Sequence, residues 1–545
     1  MTTSADHSSV APRFALRWSV ARAHLARHWV LWVLALAFVG HLTVVWGTTY
    51  LPLGDLGGHV ELMDIMARSS DPRTIYPELY VTRSPLTANG LSLCLAVLLA
   101  RLIGTLNVAK LLLTWFVIGT PLSALALARA FKRPDWTALL ATPLVFGALL
   151  NVGFLNFIAS LPFLLFAVAV ARKFAAEGGL RRGLLLFLLL QATYFAHILG
   201  YLIALGMVGA VMLVFVPGLR AWRRWLALVA STPFFAAWSY QRLLAGQATE
   251  AGRTIRTAGG GFGAEFLPWD RRLQLTHEWG MRFFKDNVDE VAFLLMVVVW
   301  LLAMAATGRD SASNAGVAEA QASWWKRMAA ALREYAVEWI TLSCMAAFFL
   351  LPNNIREVNI LAERAWFFTL VFFAFWPRIQ PRSWRFGVLI APLLAVVLGY
   401  PWVVHSKFQE FQRRYVGGLP AAIAALPDRT ALAYVMEYPE IDLTHMGPLW
   451  HLPKMLQATL NGGHSDDCFA IRPYYPIDYR PGRTPSPLGR PFWRAGNLDD
   501  YDYVLVLSHT KPTEALASNR VKLRWHELDW WLFDVVLGPA RASRP

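Results

Sequence analysis

Charge and cysteine are both scarce in this sequence. Of 545 residues, 16% are Asp, Glu, Lys or Arg, and three are Cys; a soluble protein carries about 25% charged residues. Cys94, Cys344 and Cys468 show no CxxC or metal-ligand spacing, which argues against a disulfide framework and a zinc site. Acidic residues are the scarcer sign, 36 against 51 Lys and Arg, for a net charge of +15. No nucleic-acid motif accompanies that excess, and nucleic acid is not an expected partner. The cations fall in short clusters between apolar runs, the pattern of cytoplasmic loops lying against anionic lipid. Apolar residues are what the chain has in plenty: 56% are hydrophobic and the mean hydropathy is +0.40. A soluble, disordered, fibrous or disulfide-built protein is excluded, leaving a polytopic membrane protein.

A polar, basic segment through His28 precedes the apolar run Trp29–Trp46, which lacks a small-x-small site at its end and is expected to be an uncleaved anchor with its N-terminus inside. Further apolar runs lie at 86–104, 108–128, 137–150, 153–171, 184–216, 226–244, 290–306, 336–352, 362–377 and 386–404. They lack the period-2 alternation of barrel strands, so the expected fold class is an all-α polytopic helical bundle of about 11 to 13 spans. Two topologies give eleven crossings. In one, 184–216 is a single long helix, and the clusters Arg129/Lys132/Arg133 and Arg172/Lys173/Arg181/Arg182 lie outside. In the other, 184–216 splits near His197–Gly200 and 86–104 is a re-entrant or surface helix; both clusters then lie inside, as the positive-inside rule prefers. Both place outer loops at 47–85 and 245–289. The expected organisation is a cytoplasmic tail (1–28), a membrane module (29–404) and a small extracytoplasmic α/β domain (405–545). That last domain carries strand-like runs at 431–436, 503–507 and 530–536 and helical patterns at 407–426 and 449–460.

The first outer loop is the most informative segment. Asp55 sits a few residues beyond the first span, at the membrane–water boundary, where desolvation and field tune a carboxylate. Gly54, Gly57 and Gly58 around it permit close backbone approach to a ligand. From Val60 onward, apolar residues alternate at helical spacing with Glu61, Asp64 and Arg68, predicting a short interfacial helix. Asp55, His59 and Glu61 within seven residues suit a general base or a divalent cation site; an ordinary solvated loop fits the same residues. Farther on, Tyr80 and the element Arg83-Ser84-Pro85-Leu86 stand at the mouth of the next apolar run, where a guanidinium suits a phosphate or simply snorkels. Arg356 and Arg364 flank an outer turn and can clamp a phosphate, or be neutralised by Glu357 and Glu363. His197 stands alone in an apolar stretch, and Asn151 and Asn156 suit cross-helix hydrogen bonds. The run Gly259–Gly261 in the second large loop follows no strand and reads as a lid rather than a nucleotide loop; His277-Glu278 has no HExxH completion. In the last domain, Gly462-Gly463-His464-Ser465-Asp466-Asp467 suits a sugar contact or a turn into a strand.

Taken in order, Asp55, the helix Gly58–Arg68, Arg83–Leu86, Asn107–Lys110, Gly153–Asn156, His197–Gly200 and Arg364 resemble the GT-C superfamily, polytopic glycosyltransferases that take a sugar from a polyprenyl-phosphate carrier. The resemblance spans roughly residues 28–400 in short, degenerate motifs. It implies an inverting hexosyl or pentosyl transfer at the outer face of a bacterial inner membrane. The acidic role, metal ligand (Mg or Mn) or base, maps to Asp55, supported by His59 or Glu61. Carrier-phosphate binding maps to Arg83 and Arg364, with Arg356 nearby. Asp64, Tyr80, His197, Asn156 and His464 are the remaining expected pocket residues. The expected partners are a polyprenyl-phosphate-linked sugar and membrane lipid, and the acceptor a surface glycan, lipid or protein. The chain departs from the family in lacking a clear second acid in the second outer loop; Asp135 qualifies only in the first topology. The rival readings are a transporter or flippase, with a central vestibule lined by His197 and Asn156, and an inactive scaffold of the same architecture.

Overall fold

The computed structural model describes residues 11–216, 218–248, 264–311, 324–355, 359–379, 384–438, 440–466, 475–488 and 491–536. The apolar runs form helices: α1 (Ala11–Trp46), α2 (Leu56–Ala67), α3 (Leu91–Ile103), α4 (Thr105–Ala130), α5 (Leu155–Glu177), α6 (Leu180–Ala196), α7 (Ile198–Phe215), α8 (Pro233–Ala248), α9 (Val288–Ser311), α10 (Trp324–Glu334), α11 (Ala336–Leu350), α12 (Leu361–Phe373) and α13 (Trp384–Phe411). Among the described residues, six helical segments are long and apolar enough to cross a membrane, in α1, α4, α5, α7, α9 and the stretch through α13. The other apolar helices are shorter. The run at 137–150 is broken into Thr137–Ala141, Pro143–Phe146 and Ala148–Val152, because Pro143 and Gly147 interrupt the helical ladder.

Two of the breaks decide between the topologies. His197 is extended (φ −160°, ψ 127°), and its Nδ1 accepts hydrogen bonds from the amides of Leu199 (3.1 Å) and Gly200 (3.4 Å). One side chain thus caps α7 where α6 ends. The run 86–104 is a separate 13-residue helix, α3, with Leu98 and Leu102 exposed. Arg133 and Arg172 consequently share one end of the bundle with Arg333, where Arg133 pairs with Glu338 (2.7 Å). Asp135 lies at that same end, paired with Arg129 (2.7 Å), so it cannot serve as a second acid beside Asp55.

The last part of the chain carries α14 (Leu452–Asn461) and a five-stranded sheet among the described residues. With β1 as Tyr80–Thr82, β2 Ala431–Met436, β3 His464–Ser465, β4 Ile477–Tyr479, β5 Tyr503–Leu507, β6 Val521–Glu527 and β7 Trp530–Val535, the sheet order is β3-β2-β5-β7-β6. β2 pairs in parallel with β3 and β5; β5 and β7, and β7 and β6, pair antiparallel. β1, in the first loop, pairs antiparallel with β4. This pairing, with the ion pairs Arg83–Asp478 and Arg429–Glu78, ties the first loop to the sheet region. The expected helix at 407–426 is instead the end of α13, one π-turn (Gln412–Val416) and the short helix Leu419–Ala424.

Candidate active site

The backbone fixes Asp55 before any side chain does. The amide of Gly54 donates to the carbonyl of Asn151 (2.9 Å) and that of Asp55 to Val152 (2.8 Å). Gly153, which closes the 151–153 turn, has φ +79°, and a Cβ there would lie 2.9 Å from the Asp55 nitrogen. Only glycine satisfies both demands. The turn is braced from behind: Asn151 Nδ2 donates to the Phe283 carbonyl (3.1 Å), while the amide of Phe284 and the Tyr400 hydroxyl (2.7 Å) donate to the buried Asp289 carboxylate.

Asp55 then begins α2 with its side chain one-third exposed and Oδ1 3.6 Å from Nε2 of His451, at the start of α14. Gly57 makes that approach possible, because a Cβ there would fall 2.2 Å from the His451 carbonyl oxygen. The backbone that comes close to Gly57 is therefore that of His451, not a ligand's. A carboxylate beside an imidazole at a partly open position can accept a proton and pass it on.

The next turns of α2 face inward. His59 and Glu61 are buried, with the His59 ring edge-on to Tyr475 (centroids 6.4 Å apart). Asp64, expected in the substrate pocket, is fully engaged: Arg68, the Tyr76 hydroxyl (2.8 Å) and the Thr105 hydroxyl (2.8 Å) all donate to it. With its oxygens hydrogen-bonded and 3% of its surface exposed, Asp64 braces α2 against α4.

On the far side of the same turn lies Arg364, at the start of α12 and 6% exposed. Its Nε donates to the Ile360 carbonyl (3.1 Å) and Nη2 to Asn359 (3.3 Å), and its guanidinium carbon lies 4.5 Å and 4.7 Å from the ring centroids of Phe154 and Phe157. Ile360 sits at φ +60°, a conformation a β-branched residue rarely adopts, and it places that carbonyl beneath the arginine. Phe157 also meets the His197 ring edge-on at 5.2 Å. Burial, then the Arg364 charge, then His59 hold the His197 imidazole well below its ordinary pKa. Because Nδ1 accepts the two cap bonds, the neutral ring carries its proton on Nε2. Asn89 completes the junction: its Oδ1 accepts from the Ile198 amide (2.9 Å), and its carbonyl accepts from Asn156 Nδ2 (3.2 Å). His197 and Asn156 are thus engaged in holding the helix junction.

The structure therefore brings Asp55, His59, His197, Asn156 and Arg364 around one turn, 151–157. Other expected site residues lie elsewhere. Arg83 is exposed and ion-paired with Asp478 across the β1–β4 pair. Tyr80 is buried between Tyr76 and Tyr479 (ring centroids 5.9 Å and 4.9 Å). His464 opens β3, its amide bonded to Thr430 (3.1 Å), the turn-into-strand alternative. Arg356, Asp467 and Gly259–Gly261 lie outside the described residues. Sequence reasoning missed His451 as Asp55's neighbour and Asn89; the Asn-Gly pair and left-handed backbone of Asn89 mark a turn but not its partners. Lys110, at the end of the Asn107–Lys110 element, donates from Nζ to the Thr48 carbonyl (2.6 Å) at the base of the first loop.

Among the described residues, no three His, Cys, Asp or Glu side chains are grouped as metal ligands. Asp55 with His451 offers two donor groups, so a cation there would need further oxygens, from water or substrate, to complete its shell. A cavity of about 300 Å³ between α7, α11 and α12 is lined almost wholly by apolar side chains; its residues Leu199, Leu361 and Ala365 adjoin the His197–Arg364 junction.

No protein-family model matches the chain, and no curated protein matches it in sequence. Solved structures do match. ArnT from Cupriavidus metallidurans, in crystal structures bound to undecaprenyl phosphate and in the apo state, aligns with a TM-score of 0.50 at 13% identity, over 94% of this chain and 100% and 99% of the ArnT chains. Arabinofuranosyltransferase AftD from Mycobacteria aligns with a TM-score of 0.49 at 13% identity, over 94% of this chain and 40% of that one. The architecture is the fold of the ArnT structures: a bundle of apolar helices with a small C-terminal sheet region, as the expected fold class has it, although among the described residues six helical segments rather than 11 to 13 are long and apolar enough to span a membrane.

Proposed function

We propose that the chain is a membrane glycosyltransferase that takes a sugar from a polyprenyl-phosphate carrier and passes it to an acceptor hydroxyl at the membrane face bearing the C-terminal domain, which we assign as the outer face. The observation that carries this reading is the 151–157 turn. It fixes a partly open carboxylate through backbone bonds to Asp55 and seats a buried guanidinium, Arg364, on Phe154 and Phe157. A base and a fixed cation on one scaffold suit a displacement whose leaving group is a phosphate.

In this reading the Asp55 carboxylate takes the acceptor's hydroxyl proton as the acceptor oxygen attacks the anomeric carbon. The bond from that carbon to the carrier phosphate oxygen breaks, and the lipid phosphate departs with its added negative charge toward Arg364. The carrier's isoprenoid chain lies in the apolar cavity between α7, α11 and α12, whose upper residues adjoin Arg364. His451, beside the Asp55 carboxylate, relays its proton. A divalent cation, if used, is held by Asp55 together with substrate phosphate oxygens. Arg83 stabilises the loop through Asp478 and has no part in the transfer.

Purified protein incubated with radiolabelled polyprenyl-phosphate sugars tests the proposal. Carrier-dependent consumption of the donor, absent in Asp55→Asn, supports it. Donor left intact over a panel of hexosyl and pentosyl carriers, with acceptor-containing membranes supplied, refutes it.

A further inference from the structure

At the end of the bundle remote from Asp55 lies a second cavity, of about 680 Å³, at the tips of α4, α5, α7 and α10. Its distance from the first site follows from α4: Thr105 bonds Asp64 at one end, and 26 helical residues at about 1.5 Å each place Lys132 and Arg133 about 40 Å away. Five cations line the cavity, Lys132, Arg133, Arg172, Arg333 and Arg378, and one carboxylate, Glu334. A further carboxylate, Glu338, bonds Arg133 and Arg378 from behind.

Positive charge therefore remains in excess, and part of it has no protein acceptor. The Arg133 side chain is 5% exposed, and its Nη1 is buried without a hydrogen-bond partner; Arg172 Nε is likewise without one. A buried donor left open is unfavourable unless something fills it. Arg172 is further fixed with its guanidinium 3.8 Å from the centroid of Phe215, and Phe215 also lines the lower end of the apolar cavity between α7 and α11. Trp324 and Trp325, exposed at the start of α10, supply the amphipathic rings typical of a membrane interface.

We infer that this cavity binds the phosphate of an anionic phospholipid from the leaflet opposite the C-terminal domain. Guanidinium groups with open N–H donors match phosphate oxygens. The shared Phe215 lets an acyl chain continue into apolar surroundings, which a free phosphate does not use. The lipid would clamp α10 and α11 to the tips of α4 and α5, joining the two halves of the bundle at a point where the protein itself leaves donors open.

The test uses the purified full chain in detergent, titrated separately with phosphatidylglycerol, phosphatidylcholine and sodium phosphate at matched ionic strength. Binding is read as lipid retained in native mass spectrometry and as the shift in thermal midpoint. Phosphatidylglycerol is expected to be retained and to raise the midpoint, and the other two to do neither. Lys132→Gln combined with Arg172→Gln is expected to weaken phosphatidylglycerol retention about 25-fold, about fivefold for each charge removed. Equal retention of the two lipids, a phosphate effect as large as the phosphatidylglycerol effect, or undiminished retention by a folded double variant overturns the inference. The wild-type comparison decides by itself if the double variant does not fold.

Discussion

At the end of the bundle that carries the sheet, Asp64, Arg364 and His197 are engaged by the protein. Asp64 accepts from three residues, Arg364 donates to two carbonyls and stacks on two rings, and the His197 ring caps a helix. At the opposite end, Arg133 and Arg172 keep open N–H groups among an excess of cations. The contrast separates two ways of meeting phosphate. One end is pre-built around a single fixed guanidinium and carboxylate, as group transfer requires. The other is an electropositive pocket whose last partners must come from outside the chain, which suits binding without chemistry.

Four substitutions break or sharpen this contrast. Asp55→Asn, read as sugar transfer by purified protein, is expected to lower the rate about 10³-fold or more, because the amide cannot take the acceptor's proton. Arg364→Lys keeps the charge but loses the planar contact with Phe154 and Phe157. Its KM for the carrier is expected to rise about tenfold with a smaller change in kcat, read by steady-state kinetics. Gly57→Ala forces α2 and the His451 backbone apart; a loss of about 1–3 kcal/mol, read as a lower thermal midpoint, is expected together with reduced transfer. The mildest is His197→Gln. His197 is neutral in the folded chain and protonates in the unfolded chain below about pH 6.5. It therefore weakens stability as pH falls through that value toward its lower folded pKa, by up to about 1.4 kcal/mol per pH unit. The thermal midpoint of His197→Gln is expected to fall less steeply between pH 7 and 5 than that of the wild type, and equal slopes would contradict the assignment.

Local pattern carried much of the fold. The apolar runs are helices, and the strands expected at 431–436, 503–507 and 530–536 lie at Ala431–Met436, Tyr503–Leu507 and Trp530–Val535. The break at His197 was legible because a polar, ionisable residue interrupts an apolar run too long for one span. β6, at Val521–Glu527, was not: its mixture of Lys, Arg, His and Trp suits a sheet edge, where burial imposes no strict alternation. The site was half legible. Asp55 and Arg364 stood out by residue type at span mouths, whereas His451 meets Asp55 only through the packing of α14 on Gly57, a contact no local spacing encodes. Asp64 and Arg83 are the complementary case. A charged residue at an interface looks the same in sequence whether its partner is a ligand or another part of the chain, here Arg68 and Asp478.

The central claim is that the carboxylate and the guanidinium on either side of the 151–157 turn divide the labour of one reaction, and carrier binding measured alongside transfer tests it most directly. With a radiolabelled polyprenyl-phosphate sugar and purified protein, the account predicts that Asp55→Asn binds the carrier as the wild type does but does not transfer the sugar, while Arg364→Lys binds the carrier about tenfold more weakly. Transfer at the wild-type rate by Asp55→Asn, or unchanged carrier affinity in Arg364→Lys, would contradict it.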